Sequence, residues 1–278
     1  MRKEDLTVDL VRALLADQWP EWAHLPIAPV PVNGWDNSSF RLGDDLLVRL
    51  PSAERYVEGV FKEHRWLPWL APQLPLPIPA PVHLGRPTLL FRRPWSVYRW
   101  IDGEPLSTGR VDDDVQLARD VAAFLRVLYS LDARDGPPAG TQNFLRGMPL
   151  TVWDEQVRQA IAVHGADIDV PAVEALWEAA CSTTWTRDPV WFHGDVAENN
   201  LLVRDGRLCA FIDFGTSGVG DPACDVYLAY TFLSGEARDA YREGLGFDDD
   251  TWTRGRGWVL WKALITGNLA WVAEVLSG

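Results

Sequence analysis

Cysteine, positive charge and long apolar runs are all scarce in this sequence, and each shortage excludes a class of protein. The three cysteines among 278 residues are odd in number and show no C-x-x-C spacing, so a disulfide framework is not expected. The longest apolar runs, such as residues 227–233, are far shorter than the roughly 18–20 residues that a membrane span needs. We therefore expect reduced thiols in a cytoplasmic protein that has no membrane partner.

Positive charge is outnumbered, because 26 Lys and Arg residues face 39 Asp and Glu residues, for a net charge of −13. No run of Lys or Arg is longer than two residues. An acidic protein repels phosphate backbones, so a nucleic-acid partner is not expected. The same field attracts a cation. We therefore expect a small cationic ligand, bound by a monomer or a weak dimer.

The glycine-rich motifs of two large enzyme classes are also missing. The sequence contains neither G-x-x-x-x-G-K-[ST] nor G-x-S-x-G, so the P-loop and α/β-hydrolase classes lose support. Residues 218–223 match G-x-G-x-x-A, but the surrounding chain is not a βαβ repeat. A dinucleotide site is therefore not expected there.

Short strands and prolines characterise the first hundred residues. Apolar spacing predicts helices over residues 5–17 and 53–70. Short β-like runs between turn residues predict an antiparallel meander, with strands at 30–32, 39–42 and 46–50. Eight of the 20 prolines lie within residues 68–94, so extended chain is expected there, with no helix passing through it. Another strand is expected at 97–101.

Helical periodicity dominates after a turn predicted at residues 102–105, where we place the hinge between two lobes. Helices are expected at 112–131, 150–164, 171–182 and 221–278. Short strands are expected at 190–193, 201–204 and 208–212, and Asp205-Gly206 predicts a hairpin between the last two. The sequence thus predicts an α+β fold. It has an N-terminal antiparallel β lobe with helices over residues 1–101 and a mainly helical C-terminal lobe over 102–278.

Acidic and amide side chains stand at the ends of the short strands in the second lobe. Asp195 follows the first of these strands, Asn200 precedes the second, and Asp213 follows the third. Strand ends that converge on one edge would bring the three side chains together. Carboxylate and amide oxygens suit Mg²⁺, which completes its coordination shell with waters and substrate phosphates. Asp221 and Asp225, further along, are expected to cap and brace the next helix.

The pattern H-G-D-x4-N followed by I-D-F-G resembles the motif pair of the aminoglycoside phosphotransferase family, and is similar to H-R-D-x4-N and D-F-G of protein kinases. The resemblance extends over nearly the whole chain and implies a protein-kinase-like, two-lobed fold. It implies transfer of the γ-phosphate of ATP or GTP to a hydroxyl of a small molecule, with Mg²⁺. In that case Asp195 is the catalytic aspartate, Asn200 and Asp213 are the metal ligands, and His193 has a structural role.

In the first lobe, the resemblance implies a cation that contacts phosphate from a strand and pairs with a glutamate of the next helix. This chain has Arg49 at the position of the family's lysine. Its expected partner is Glu63, with Glu58 as the alternative. Arginine keeps the positive charge and can bind a phosphate through two N–H groups, so the role is retained in the prediction.

Nucleotide contacts are expected at two further places in the first lobe. The turn at residues 33–38 is expected to cover the phosphates with backbone N–H groups and hydroxyls. The base is expected to lie beside the hinge and to bond backbone groups there. The residues expected to contact the nucleotide in these two places are Gly34, Ser38, Ser39, Tyr98, Trp100 and Ile101.

The acceptor is left open by the sequence. The loop after Asp195 reads Ala197-Glu198-Asn199 where the family usually has H-P-G, and Glu198 is either a contact for a cationic acceptor or a solvated side chain. An aminoglycoside-like antibiotic is the favoured acceptor. The alternatives are a macrolide, a peptide antibiotic, and a choline-, homoserine- or sugar-like metabolite. Arg49 and the altered loop also keep open a nucleotide-binding protein with little transfer activity.

Overall fold

The computed structural model describes residues 2–31, 34 and 36–278. The chain folds as two units, one of Met1–Gln73 with Pro77–Asp102 and one of Leu74–Leu76 with Gly103–Gly278. Within the described residues the first unit holds an antiparallel sheet with helices, and the second is mainly helical with two small sheets. The α+β prediction is confirmed. No described helix combines the length and the apolar character that a membrane crossing requires.

The sheet of the first unit has the strand order β1-β2-β3-β5-β4, and every neighbouring pair is antiparallel. The elements of this unit are α1 Val8–Gln18, β1 Ile27–Pro29, β2 Asn37–Leu42, β3 Leu46–Pro51, α2 Val57–Leu70, β4 Pro81–Gly85 and β5 Trp95–Arg99. Alternate residues of β2 and β3 are buried, which is the pattern of strands with one face on a core. The central strand β5 is paired with β3 and β4, and its Trp95 and Val97 side chains are fully buried in the core of this unit.

The strand predicted at 30–32 is misplaced, and the extended chain predicted over 68–94 begins only after Gln73, because the helix predicted over 53–70 reaches Leu70. The strand predicted at 30–32 is instead β1 at Ile27–Pro29, although the Val30 N–H still donates to the Ser39 carbonyl at 3.0 Å. Val32 lies outside the described residues. The helix α2 continues through Pro68, the first residue of the proline-rich segment. Proline in the last turn removes a single backbone hydrogen bond, and burial of Leu67 and Leu70 stabilises the turn around it.

The second unit surrounds two small sheets, β6-β8-β9 and β10-β7, with helices. Its elements are β6 Glu104–Pro105, α3 Asp114–Ser130, α4 Asp154–His164, α5 Val170–Cys181, β7 Val190–Phe192, β8 Leu201–Arg204, β9 Arg207–Phe211, β10 Gly218–Gly220, α6 Leu228–Thr231, α7 Gly235–Leu245, α8 Asp249–Thr266 and α9 Leu269–Leu276. The turn predicted at 102–105 is corrected, because Glu104 and Pro105 pair with β8. Phe124 of α3 stacks on Phe211 of β9 at 3.7 Å between ring centroids and ties a helix to the hairpin.

The hairpin between β8 and β9 is confirmed, and its turn shows why the sequence predicted it. Asp205 has φ 52° and Gly206 has φ 75°, the left-handed pair that a two-residue hairpin turn needs. A Cβ at Gly206 would lie 2.2 Å from the Asp112 carboxylate. Glycine therefore serves both the backbone conformation and the close approach of the chain before α3. The hairpin holds Asn200 and Asp213 at neighbouring strand ends.

Candidate active site

The loop after β7 is held in place by hydrogen bonds from its backbone N–H groups to the Asp225 carboxylate. The Gly194 N–H donates to Asp225 Oδ1 at 2.6 Å and the His193 N–H donates to Asp225 Oδ2 at 3.1 Å. His193 is fully buried, and its Nε2 lies 3.1 Å from the Ile212 carbonyl oxygen. Its Nδ1 accepts from the Asp195 N–H at 3.3 Å, which corresponds to a neutral ring with the proton on Nε2. These contacts match the structural role expected of His193.

Gly194 has a conformation and a position that only glycine satisfies. Its φ is +89°, and a Cβ would lie 2.7 Å from the Thr216 carbonyl oxygen. The Thr216 hydroxyl donates to the His193 carbonyl at 3.0 Å, so the two loops of the motif are in direct contact. Any side chain at position 194 would push them apart.

Both oxygens of the Asp195 carboxylate accept hydrogen bonds. Lys262 Nζ lies 2.8 Å from Oδ1, and Asn200 Nδ2 donates to Oδ2 at 3.0 Å and to the Asp195 carbonyl at 2.9 Å. Burial acts to raise the pKa of Asp195, but the charges of Lys262 and Arg146 outweigh it, and the pKa lies below its ordinary value. About a quarter of the Asp195 side chain is exposed, at 26%. Asp195 is thus an ionised, oriented and accessible hydrogen-bond acceptor.

Asn200 and Asp213 lie at adjacent strand ends. The Ile212 N–H donates to the Asn200 carbonyl at 2.8 Å, which extends the β8–β9 pairing to the residue before Asp213. Asp213 has φ 62°, a left-handed conformation that costs a non-glycine residue about 1–2 kcal/mol and that aspartate adopts more readily than most. Its carboxylate accepts from the Gly215 N–H at 3.4 Å. The structure therefore brings all three predicted residues of the motif pair to one edge of the hairpin.

The donor set at this edge fits Mg²⁺ held jointly with a nucleotide. Asn200 uses Nδ2 to hold Asp195, so its Oδ1 is the atom suited to a metal, and Asp213 adds a carboxylate. Among the described residues no group of three or more His, Cys, Asp or Glu side chains forms a metal cluster. Two oxygen donors without a third are typical of Mg²⁺ sites in which phosphates and waters complete the shell.

Asp225 was expected to cap and brace the next helix, but its carboxylate instead braces the loop of His193 and Gly194. Besides the two loop N–H groups, it accepts from the Tyr129 hydroxyl at 3.2 Å, and it is fully buried. Asp221, in contrast, caps the turn after it through the Ala223 N–H at 3.0 Å and pairs with the buried Arg254 at 2.7 Å. One of the two aspartates thus supports the loop directly.

We expect Asp225 to make the free energy of unfolding depend on pH. Burial raises its pKa to about 7 against the opposing effect of the Gly194 and His193 hydrogen bonds. In the unfolded chain the Asp225 carboxyl loses its proton near pH 4, whereas in the folded protein it keeps the proton up to about pH 7. The contribution of Asp225 to the free energy of unfolding is therefore complete below about pH 4 and is lost as the pH rises towards 7. Relative to Asp225→Asn, the wild-type free energy of unfolding should fall by up to about 1.4 kcal/mol per pH unit in this window. Urea unfolding of both proteins at several pH values measures this, and a constant difference would contradict the prediction.

In the first unit, Arg49 lies among three polar side chains. Its guanidinium is 3.4 Å from Glu63 and 3.7 Å from Asp36, and its side chain is 11% exposed. The Tyr98 hydroxyl donates to Glu63 Oε2, and Arg49 lies over the Tyr98 ring at 5.7 Å. The expected Arg49–Glu63 pair is therefore present, whereas the alternative partner Glu58 is exposed. Asp36 is an addition that the sequence did not indicate.

The remaining predicted nucleotide contacts are spread along this unit. Ser39 lies opposite Arg49 in the β2–β3 pairing, and Ser38 is buried opposite Leu50. Gly34 is exposed, and its carbonyl accepts from Lys3 Nζ. Asn33 and Trp35 of the predicted phosphate-covering turn lie outside the described residues.

The residues predicted to contact the base have separate surroundings. Tyr98 is buried inside β5, which is paired on both sides. The Trp100 N–H donates to the Asp45 carbonyl at 2.8 Å, and its indole N–H donates to Asp102 at 2.8 Å. Ile101 is half-buried. Tyr98 thus orients Glu63 with its hydroxyl, and residues 100 and 101 follow the end of the strand.

Arg49→Ala should raise the nucleotide KM about tenfold or more, while Arg49→Lys should retain much of the activity. Alanine removes the cation that Glu63 and Asp36 position, whereas lysine preserves the charge but loses the planar pair of N–H groups. Steady-state kinetics with varied nucleotide measures the effect. Arg119→Ala, at an exposed position of α3, is the control for loss of an arginine. An unchanged KM in Arg49→Ala would show that another cation holds the phosphates.

Two residues that contact the candidate site of the second unit were missed in the sequence. Lys262 lies 67 positions from Asp195 on α8, and Arg146 donates through Nε to the Gly194 carbonyl at 2.9 Å. Lys262 could have been recognised from the sequence, because it is one of three lysines in the chain and interrupts an apolar stretch of helix. Arg146 lies in an irregular segment before α4, and no motif marks it.

The ionised Asp195, the amide of Asn200 and the adjacent Asp213 form the constellation of a phosphotransferase with a kinase-like catalytic loop. A family model described as "Phosphotransferase enzyme family" matches residues 27–258, well over half of the chain. The chain therefore belongs to this family. The prediction of a small-molecule phosphotransferase is confirmed at that level.

Relatives and solved structures are consistent with this membership. An aminoglycoside 3'-phosphotransferase of Niallia circulans is 34% identical over 117 residues, which span 40% of this chain and only 42% of that enzyme. An enzyme of the same name from Staphylococcus aureus is 22% identical over 207 residues, or 67% of this chain and 72% of that one.

A GDP complex of a mutant aminoglycoside 2'-phosphotransferase-IIIa superposes with a TM-score of 0.70 at 21% identity, covering 96% of this chain and 94% of that one. The macrolide 2'-phosphotransferase MphH of Brachybacterium faecium gives a TM-score of 0.61 at 24% identity, with 97% of each chain covered. These two structures confirm the predicted kinase-like fold.

Proposed function

We propose that this protein transfers the γ-phosphate of ATP or GTP to a hydroxyl group of a small molecule. The observation that carries the proposal is the Asp195 carboxylate, which Lys262 and Asn200 hold by both oxygens while a quarter of the side chain stays exposed. An ionised carboxylate that is held in place and keeps an accessible face can accept a hydrogen bond from the hydroxyl of a bound molecule. The relatives captured with GDP and with ADP support a nucleotide as the donor. A nucleotide donor also keeps the cytoplasm as the expected location.

In the proposed reaction Asp195 orients the acceptor hydroxyl and accepts its proton. The acceptor oxygen forms a bond to the γ-phosphorus as the bond to the β-phosphate oxygen breaks, and the nucleoside diphosphate leaves. Because the pKa of Asp195 is held low, the carboxylate is a weak base and its main contribution is orientation. Lys262 keeps the carboxylate in one rotamer and adds positive charge beside the position of the transferred group.

Mg²⁺ would be held by Asn200 Oδ1 and the Asp213 carboxylate together with the nucleotide phosphates. When bound, it would neutralise the charge of the phosphates. Asp213 is presented for this purpose by its left-handed backbone and by the Gly215 N–H. The chain's own part is to fix these two oxygens beside Asp195.

A two-stage experiment tests the proposed function. Thermal unfolding of the full chain with ATP or GTP, with and without Mg²⁺, should show stabilisation that depends on both. A panel of hydroxylated acceptors, read out by transfer of labelled γ-phosphate, should then identify at least one substrate. Stabilisation without transfer to any acceptor would favour the alternative of a nucleotide-binding protein with little activity. Loss of both effects would overturn the proposal.

Glu198 is the observation that favours a cationic antibiotic as the acceptor. Its Oε2 is buried and has no hydrogen-bond partner among the described residues, and its carboxylate helps to raise the pKa of nearby Tyr227. An ammonium group of an aminoglycoside would satisfy this oxygen, and the aminoglycoside-binding relatives support that assignment. Glu198→Gln should then raise the KM for kanamycin and leave the nucleotide KM unchanged. The charges closest to Asp195 favour a different acceptor chemistry.

A further inference from the structure

The pocket beside Asp195 is lined by aromatic rings and by more positive than negative charge. Its lining residues include Arg146, Asp195, Tyr227, Trp258 and Lys262. Two of these side chains are cations and one is an anion. Arg146 and Lys262 thus stand beside Asp195 in this lining, and the Glu198 carboxylate acts on Tyr227 from outside it.

Arg146 has a hydrogen-bonding group to spare in this pocket. The residue is 8% exposed, its Nε donates to the Gly194 carbonyl, and its guanidinium lies over the rings of Trp258 at 5.2 Å and Trp261 at 4.8 Å. Its Nη1 is buried and has no hydrogen-bond partner in the part of the chain that the structure describes. A buried guanidinium N–H is stabilised by an oxygen acceptor within hydrogen-bond distance. An oxygen of a bound molecule would satisfy it.

Lys262 reinforces the same preference. Its Nζ bonds Asp195 and lies 4.4 Å from the centre of the Tyr227 ring, so it is held at the pocket by a charge and by an aromatic face. Lys262 holds one oxygen of Asp195, and the Arg146 guanidinium keeps N–H groups for a bound molecule. An oxyanion can accept hydrogen bonds from this guanidinium, whereas an ammonium group has only donors.

We propose that the acceptor carries a carboxylate, which binds the Arg146 guanidinium while the hydroxyl of the same molecule meets Asp195. This inference rests on the proposed function, because only a phosphotransferase has an acceptor. The anion-binding site itself does not depend on phosphate transfer. The same chemistry, an oxyanion on Arg146, would also be supplied by the terminal phosphate of a nucleotide. The aromatic rings of Trp258 and Trp261 around the guanidinium favour an organic acid, because they offer apolar contact to its carbon skeleton.

Matched acceptors test the proposal in the full chain with Mg²⁺ and the preferred nucleotide. The probes are hydroxy acids and their primary amides, such as glycerate with glyceramide and serine with serinamide, together with kanamycin as the cationic case. The acids should show a kcat/KM at least about tenfold above that of the amides, since only they place an anion on Arg146. Equal values for acid and amide, or transfer to kanamycin alone, would overturn the proposal.

Variants of Arg146 separate the acceptor from the nucleotide as the source of the oxyanion. Arg146→Gln should lower kcat for acid and amide alike, because the contact with the Gly194 carbonyl is lost. It should also raise the KM for the acid at least about tenfold more than the KM for the amide, with the nucleotide KM unchanged. Arg146→Lys should give an intermediate result and covers the case in which glutamine fails to fold. Arg119→Gln, at an exposed position of α3, is the matched control for the loss of one charge. A rise in the nucleotide KM of Arg146→Gln, with acceptor KM unchanged, would assign the guanidinium to the nucleotide phosphate.

A binding measurement distinguishes failure of this inference from failure of the proposed function. Without nucleotide, glycerate should raise the Tm of the wild type more than glyceramide does, and this difference should disappear in Arg146→Gln. If no acceptor is phosphorylated but this difference is seen, the proposed function fails and the anion site stands. If transfer occurs and no hydroxy acid shifts the Tm more than its amide, the anion site fails and the phosphotransferase stands.

Discussion

Asp195→Asn is expected to lower kcat by about 10²–10⁴-fold while leaving nucleotide affinity nearly unchanged. Asparagine keeps the shape of the side chain but removes the charge that Lys262 Nζ contacts at 2.8 Å. Its amide also cannot accept from both Lys262 and Asn200, because one of its two polar atoms is a donor. The hydroxyl of the acceptor then loses both its orientation and its proton acceptor. Single-turnover transfer of labelled phosphate and nucleotide titration measure the two quantities separately.

Two controls make the Asp195 result interpretable. Asp239→Asn, at an exposed position of α7, removes one negative charge far along the chain from the motif and should retain full activity. Asp195→Ala tests whether the residual activity of the asparagine variant comes from its remaining hydrogen bonds. Near-normal transfer by a folded Asp195→Ala protein would remove Asp195 from the reaction. If nucleotide affinity fell by the same factor as kcat, Asp195 would instead act in binding the metal and nucleotide.

Asp213→Asn is expected to weaken binding of the Mg²⁺–nucleotide complex by at least about 100-fold. Even changes in the surroundings of metal ligands cost up to about that factor, and here the carboxylate proposed as a ligand is itself replaced. Asparagine tolerates the left-handed backbone at this position, where φ is 62°, so the loop should keep its conformation. Calorimetric titration with nucleotide in the presence and absence of Mg²⁺ is the measurement.

The comparison without Mg²⁺ is the decisive control for Asp213. A variant that loses only metal-dependent affinity should bind the free nucleotide as the wild type does. If Asp213→Asn binds the Mg²⁺ complex with wild-type affinity, the metal site lies elsewhere. If it loses affinity equally with and without Mg²⁺, Asp213 acts on the fold of the loop and not on the metal.

Local patterns in the sequence were sufficient for most of the fold and for the core of the candidate site. The spacing of Asp195, Asn200 and Asp213 is realised because the Asp205-Gly206 turn closes a hairpin whose ends must lie side by side. The roles of these residues remain predictions. The predicted helix over 53–70 and the predicted extended chain over 68–94 overlap, and the structure decides for the helix, since a proline in the last turn of α2 is tolerated.

The sequence by itself determined the order of the elements, the hairpin and the motif pair, because each depends on residues close together in the chain. Only the tertiary structure decided what surrounds Asp195. Lys262 and Arg146 reach the catalytic loop from positions 67 and 48 residues away from their partners there. Such contacts depend on how α8 and the segment before α4 pack, and no local periodicity encodes that. The overall charge is therefore a poor guide to the pocket, since packing and not composition decides which charged side chains lie beside Asp195.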